Sequence, residues 1–381
     1  MLVGSRNANE MQLKIILQNR WVLLLVIVFG LAIRMVAATL GDTFDMHSWF
    51  IVADIAQHGG NVYAETARYN YGPIWFWMVH GLDLLSGHHR EVLRYVVAGW
   101  LSLVDLGIFF FVMRFAGRLP AFLFFLNPIS ILITGYSSQF ENVALLLGLW
   151  SVQLLNDDFG ERLTRRKLAG LLVLGLSIAT KHILFAFPVW LAVKQKGWWQ
   201  KIVVLAVPTA CFLVGFVPYW AGGRQGILNN VFFYHSNLTN FFYQFFVPGL
   251  VQLFVGSEPL WFGLLIVFAF VCRTRNAFES LLIYTGVLVA FSPATSNEYL
   301  AIPVALAAVF WSTPFAVYTL ITTYHLCVDV NGPHLLGRGC YYDLAIDALC
   351  LSLFWLFWRK QFLQLFQSAV REVEIQLGRH K

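Results

Sequence analysis

Residues 21–40 read WVLLLVIVFGLAIRMVAATL, and Arg34 is the one charge among those twenty positions. At 1.5 Å per residue, a helix of that length spans about 30 Å, the hydrocarbon thickness of a bilayer. The stretch therefore reads as a membrane-crossing helix. The twenty residues before it are polar and mildly basic, with Arg6, Lys14 and Arg20, and no small-residue cleavage signal follows it. That pattern predicts a retained first helix with its N-terminus in the cytoplasm.

Similar apolar blocks recur outward from this one, near 72–86, 94–113, 119–136, 141–156, 168–195, 202–220, 246–271, 278–292, 299–312, 315–329 and 341–358. The whole chain is 59% hydrophobic and 12% charged, against roughly 45–50% and 25% in soluble domains. The expected fold class is all-α: a polytopic membrane protein of about 11–12 transmembrane helices, organised as a single membrane domain over 1–381. Several blocks are shorter than a full span, which predicts tilted, paired or re-entrant segments.

Basic clusters mark the expected cytoplasmic loops: Arg162, Arg165, Arg166 and Lys167; Lys194, Lys196 and Lys201; Arg273 and Arg275; and the C-terminal stretch with Arg359, Lys360, Arg371, Arg379 and Lys381. Two polar stretches, 41–71 and 221–245, then become external loops on one face. Four apolar blocks lie between 41 and 157, where these charges require an odd number of crossings. Either one block is re-entrant or the Arg162–Lys167 loop is external. The segment 360–381 has Phe362, Leu365, Phe366, Val370 and Val373 at helical spacing among charges, which reads as an amphipathic cytoplasmic tail on the inner surface.

The formal charge is +6 and the pI about 9.1. The basic residues sit between apolar blocks, so nucleic acid is not an expected partner; the lipid bilayer is. The five cysteines are scattered without CxxC spacing, which indicates neither a zinc site nor a disulfide framework.

Chemistry-bearing residues concentrate after the first helix, in GDTFDMHSWFIVADIAQHGGNVYAETARYNYGPIWFW. Asp42 and Asp45 lie just past the end of an apolar helix, where a carboxylate reaches water beside the headgroups. Asp45 precedes Tyr63 by eighteen positions, and Tyr69-Asn70-Tyr71-Gly72-Pro73 follows. Gly41-Asp42 precedes Trp49 by seven. Farther on come Asn127-Pro128 and Gln139-Phe140-Glu141-Asn142, then Lys181-His182 inside apolar sequence before Pro188, then Glu298-Tyr299 before Pro303. A lysine at membrane depth is expensive and faces a partner or a cavity.

In order and spacing these motifs resemble the GT-C superfamily of membrane glycosyltransferases. The first loop is most similar to the enzyme that adds the first mannose to GPI anchors, through Asp45, Tyr63 and the Tyr-x-Tyr-x-Pro segment. The Gly41-Asp42…Trp49 spacing and the Asn127–Asn142 segment are similar to the Alg glucosyltransferases. The resemblance departs at Thr43, where the first acid of a DxD pair would fall, so a metal held by two carboxylates is not implied. No cofactor is expected; a divalent metal is the alternative, which the residues do not indicate.

The resemblance implies an inverting transfer of a hexose, mannose first, from a polyprenyl-phosphate carrier to a glycan or lipid acceptor on the outer or luminal face. Asp45 is the expected general base and Asp42 the second choice. Lys181, His182, Arg224 and His235 are the expected contacts to carrier phosphate or sugar, together with Gln139, Glu141, Asn142, Tyr69, Tyr71, Glu298 and Tyr299. Arg34 is expected to pair with an acid such as Asp105 or to snorkel to the surface. A bacterial plasma membrane is the expected location, with the endoplasmic reticulum as the alternative. The alternative function is a transporter or flippase of a lipid-linked sugar, which would call for internal repeats; none is present.

Overall fold

The computed structural model describes residues 19–157, 162–234, 240, 249 and 257–378, with 360 and 362–378 as backbone alone. Among the described residues every extended regular element is a helix.

The first apolar block forms α1, Arg20–Ala38, and Asn19 caps it by accepting the N–H of Trp21 at 2.9 Å. Trp21, Leu25, Val28 and Phe29 are exposed on its outer face. An apolar face of that extent is stable against lipid rather than water. Gly41, at φ +143°, turns the chain where a side chain would be strained. The polar stretch 41–71 is then largely helical: α2, Phe44–Gln57, and the single turn α3, Val62–Glu65. Gly72 and Pro73 start α4, Pro73–Leu85; proline fits there because a first-turn N–H has no helical partner.

After α5, Arg90–Ala116, the next block splits. α6, Arg118–Phe125, and α7, Pro128–Ile131, with its continuation Leu132–Tyr136 in a π turn, meet at 45°. Asn127 makes the corner, its side chain accepting the N–H of Ile129 at 3.0 Å. By its bend this pair is a broken span or a re-entrant segment, the first of the two alternatives that the charge pattern left open. α8, Glu141–Leu155, packs along α9, Arg165–Thr180. The 168–195 block breaks at Lys181, and resumes as a short 3-10 turn and α10, Phe187–Ala192.

α11, Trp198–Val214, leads through a 3-10 turn into α12, Trp220–Gly226, and a π turn ending at Phe232, a helical run of 35 residues. The start of the expected loop 221–245 is thus helical, and most of its remainder lies outside the described residues. α13, Ser257–Val271, and α14, Ala277–Ala290, follow. A 3-10 turn, Asn297–Ala301, precedes α15, Val304–Val309, α16, Thr313–Val328, and α17, Tyr342–Gly378. The backbone of the expected tail is helical as far as Gly378, and its side chains lie outside those described.

By length and composition, three described helices can cross a membrane: α1, α5 and the run from Trp198 to Phe232. The bent α6–α7 pair makes four. Shorter apolar helices accompany them, and the chain is an integral membrane protein. Buried aromatic side chains tie the 41–76 region to the start of α8. Trp75 stacks on Phe140 with centroids 4.0 Å apart, and Trp49 meets both edge-on. This packing carries the first turn of α2 to the breaks in the later helices.

Candidate active site

Asp45 lies in the first turn of α2, half-buried. The amide nitrogen of Gln139, 94 residues away, donates to its carboxylate. The backbone that presents Gln139 is unusual. The π turn at Leu132–Tyr136 is followed by Ser138 at φ +52°, and the N–H of Gln139 returns to the carbonyl of Ile133 at 3.2 Å. Insertions of this kind re-aim side chains out of the helical register and are frequent at functional sites.

Glu141 opens α8 and takes a hydrogen bond from Lys181. Both are almost wholly buried, at 3% and 2% exposed. Lys181 sits where α9 breaks, its ammonium 4.8 Å from the Tyr71 ring centroid and 4.5 Å from that of Phe140. Two aromatic faces and a carboxylate offset the cost of desolvating this lysine. Glu298 enters on the 3-10 turn from the far end of the chain. Burial, with the like charge of Glu298 second, pushes the Asp45 carboxyl up to about 6, against the opposing pull of Lys181, the Gln139 hydrogen bond and Arg68. Asp45 is therefore ionised at neutral pH and far more basic than an ordinary aspartate, which is the requirement for a general base.

Arg68 is a member that the sequence did not single out. Its guanidinium lies 3.7 Å from the Phe44 ring centroid, on the Asp45 side of the site, and it is half-buried. Stacking takes up one guanidinium face and leaves the planar fork of N–H donors at the edge, the geometry that suits an oxyanion. An isolated Arg in a polar stretch carries no signal; only the fold puts it beside Asp45.

Behind the cluster lies a buried ion pair. Arg34 donates to Asp105 at 3.0 Å, to the carbonyls of Gly30 and Phe125 at 3.0 and 2.8 Å, and to Ser130 at 2.7 Å. Asp105 also accepts from Ser130, Thr134 and Asn142 at 2.8–2.9 Å. The expected Arg34–Asp105 pairing is thus present, and it ties α1 and α5 to the bent segment that aims Gln139.

The remaining sequence candidates are distributed as follows. Asp42 is exposed and lies 3.7 Å from His47. Tyr71 and Tyr299 border the cluster. Tyr69 is fully buried with its hydroxyl committed to the carbonyl of Gly72 at 2.5 Å and the N–H of Phe76 at 3.0 Å, so it braces the start of α4. Asn142 faces Asp105 rather than Asp45. His182 packs near Tyr71, ring centroids 6.4 Å apart. Arg224 is exposed on α12 against Trp220, and His235 lies outside the described residues.

Asn297, next to Glu298, is held at both ends of its amide: it accepts from His325 at 2.8 Å and donates to Asp329 at 2.8 Å. The other nitrogen of His325 accepts the N–H of Tyr341 at 3.1 Å, which fixes the tautomer. His325, Asp329 and Cys340 offer ligand atoms within 4.8 Å of one another, but both His325 nitrogens are engaged. The group reads as a hydrogen-bonded clamp on the Glu298 turn.

No family model matches this chain, and no curated protein sequence matches it. Among solved structures, the crystal structure of ArnT from Cupriavidus metallidurans in the apo state is similar, with a TM-score of 0.46 and 17% sequence identity, covering 87% of this chain and 75% of that one.

Proposed function

We propose that this chain is a GT-C-type membrane glycosyltransferase that moves a hexose, mannose first, from a polyprenyl-phosphate carrier to an acceptor hydroxyl by a single inverting displacement. One observation carries the reading. Four motifs far apart in sequence, those of Asp45, Gln139–Glu141, Lys181 and Glu298, meet around one carboxylate whose basicity is raised. A packing role alone asks for no such convergence of charges.

In the proposed step the acceptor oxygen forms the new bond to the anomeric carbon as the bond to the carrier phosphate oxygen breaks. Asp45 takes the acceptor proton, oriented by Gln139. The electron pair leaves with the carrier phosphate from the opposite face of the sugar, and the proposed role of Arg68 is to reach across to that face and take up the charge. Lys181 is neutralised by Glu141 and serves to hold the helix break beside Tyr71. The carboxylates of Asp45, Glu141 and Glu298 favour the positive character that develops at the sugar carbon. One displacement inverts the anomeric centre and needs one essential base. We place the site on the outer face of a bacterial plasma membrane, where lipid-linked sugars replace nucleotide sugars as donors.

The test is transfer from radiolabelled polyprenyl-phosphate mannose and glucose in proteoliposomes with lipid and glycan acceptors. Label in an acceptor, with mannose favoured, supports the reading. Movement of intact lipid-linked sugar across the membrane without transfer replaces it with the transporter.

A further inference from the structure

Between α5, the bent segment and the start of α8 lies a cavity of about 20 Å³, room for roughly one water-sized occupant. Asp105, Ser130, Thr134, Gln139, Glu141 and Asn142 supply its polar lining, and the other lining residues are apolar. Three of these carry a buried oxygen with no hydrogen-bond partner among the described residues: Gln139 Oε1, Glu141 Oε2 and Asn142 Oδ1.

Their orientation is dictated by their partners. Gln139 gives its nitrogen to the Asp45 carboxylate, so its oxygen must turn elsewhere. Asn142 gives its nitrogen to Asp105 at 2.9 Å and to the carbonyl of Leu101 at 3.0 Å, two acceptors, so flipping the amide would set oxygen against oxygen. Glu141 has one oxygen on Lys181 and the other free. The hydroxyls of Ser130 and Thr134 spend their hydrogens on Asp105. The polar residues of the wall therefore carry more unpaired acceptors than donors. A buried acceptor without a donor is destabilising, and one water has two hydrogens for three such acceptors. A hard cation meets all of them, because oxygen ligands are what such ions take.

Charge selects the valence. Four carboxylates surround the cavity and the adjoining cluster (Asp45, Asp105, Glu141 and Glu298), against three cations, Arg34, Lys181 and Arg68. With all of these ionised, at most one negative charge remains, which a single monovalent ion cancels and a divalent ion would overshoot. The volume suits a small ion.

We propose that this cavity binds a monovalent cation of sodium size, held by Gln139, Glu141 and Asn142. The ion orients Gln139 and through it the carboxylate of Asp45. Binding itself does not depend on the glycosyltransferase reading, so the test uses stability rather than transfer.

The test is thermal unfolding of the purified full-length protein in nanodiscs, in NaCl, KCl and choline chloride at equal ionic strength. A ligand that binds the folded state raises its stability by mass action. The expected result is a saturable rise in Tm of about 2–4 °C in sodium over choline, with potassium giving less. Gln139→Leu and Asn142→Leu each remove one of the orphan acceptors. In each the sodium-minus-choline difference shrinks to zero, whatever the variant's own stability. Equal Tm values for wild type in all three salts would mean the cavity holds water and would overturn the proposal. So would a rise with magnesium or calcium but not with sodium. Should the variants fail to fold, the wild-type comparison decides alone. If transfer is absent while the sodium shift is present, the ion site stands and the enzyme reading falls.

Discussion

The Lys181–Glu141 pair is the most demanding contact at the residue scale. Each partner is almost wholly buried, so removing one strands the other in a low-dielectric site. Lys181→Met is expected to cost roughly 3–5 kcal/mol, read as loss of folded protein in detergent. Adding Glu141→Gln is expected to recover most of that loss. A single substitution that leaves Tm unchanged would mean that the pair is solvated. Asp45 makes a different prediction. A base whose carboxyl titrates near 6 is protonated and inactive below that pH. Transfer should therefore rise with pH through about 6 and level off above it. Glu298→Gln removes the like charge, so the acid limb should move toward lower pH. An unmoved limb would show that Glu298 does not face Asp45. Asp45 and Glu298 were legible in the sequence as members of separate motifs, but their proximity was not, because nothing local couples positions so far apart. Arg68 gave no signal at all, since its value comes from the Phe44 ring it stacks on and the Asp45 beside it.

At the scale of elements, the apolar blocks were legible because hydropathy alone dictates them. The breaks were partly legible: Asn127-Pro128 announces a corner, since proline donates no N–H and bars the preceding residue from helical backbone. Lys181 announced a partner but not which one. The helical nature of 41–71 and of 221–232 was hidden, because Trp, Tyr and Gly suggest a polar loop until packing is known. That packing is tight. A Cβ on Gly226 would lie 1.8 Å from the carbonyl oxygen of Tyr63, so α12 sits directly on α3. Gly226→Ala is expected to destabilise by about 1–3 kcal/mol through overpacking, measured by thermal unfolding. An unchanged Tm would mean the two helices are not in contact. The His325–Asn297–Asp329 clamp acts similarly on the turn that carries Glu298, and Asn297→Ala should shift the acid limb of transfer in the same direction as Glu298→Gln.

The whole molecule sets its polar machinery at one side of an apolar bundle. α2, α3, the Glu298 turn and the 329–341 segment are joined there, the last through the Asn297–Asp329 bond. Cys340 is exposed on that segment, and the other cysteines are buried or half-buried. If this side is the outer face, a membrane-impermeant maleimide added to intact cells labels Cys340. Labelling confined to inverted vesicles would put the site on the cytoplasmic side and remove the reason for a lipid-linked donor.

Asp45, the proposed base of the sugar transfer, is probed by Asp45→Asn, because asparagine keeps the shape and loses the basicity. Initial rates of mannose transfer from polyprenyl-phosphate mannose are compared in proteoliposomes at pH 7.5, with Asp42→Asn as the companion. The expected result is a fall of about 10²–10⁴-fold for Asp45→Asn and little change for Asp42→Asn. Equal rates for Asp45→Asn and wild type, or a collapse with Asp42→Asn alone, would contradict it.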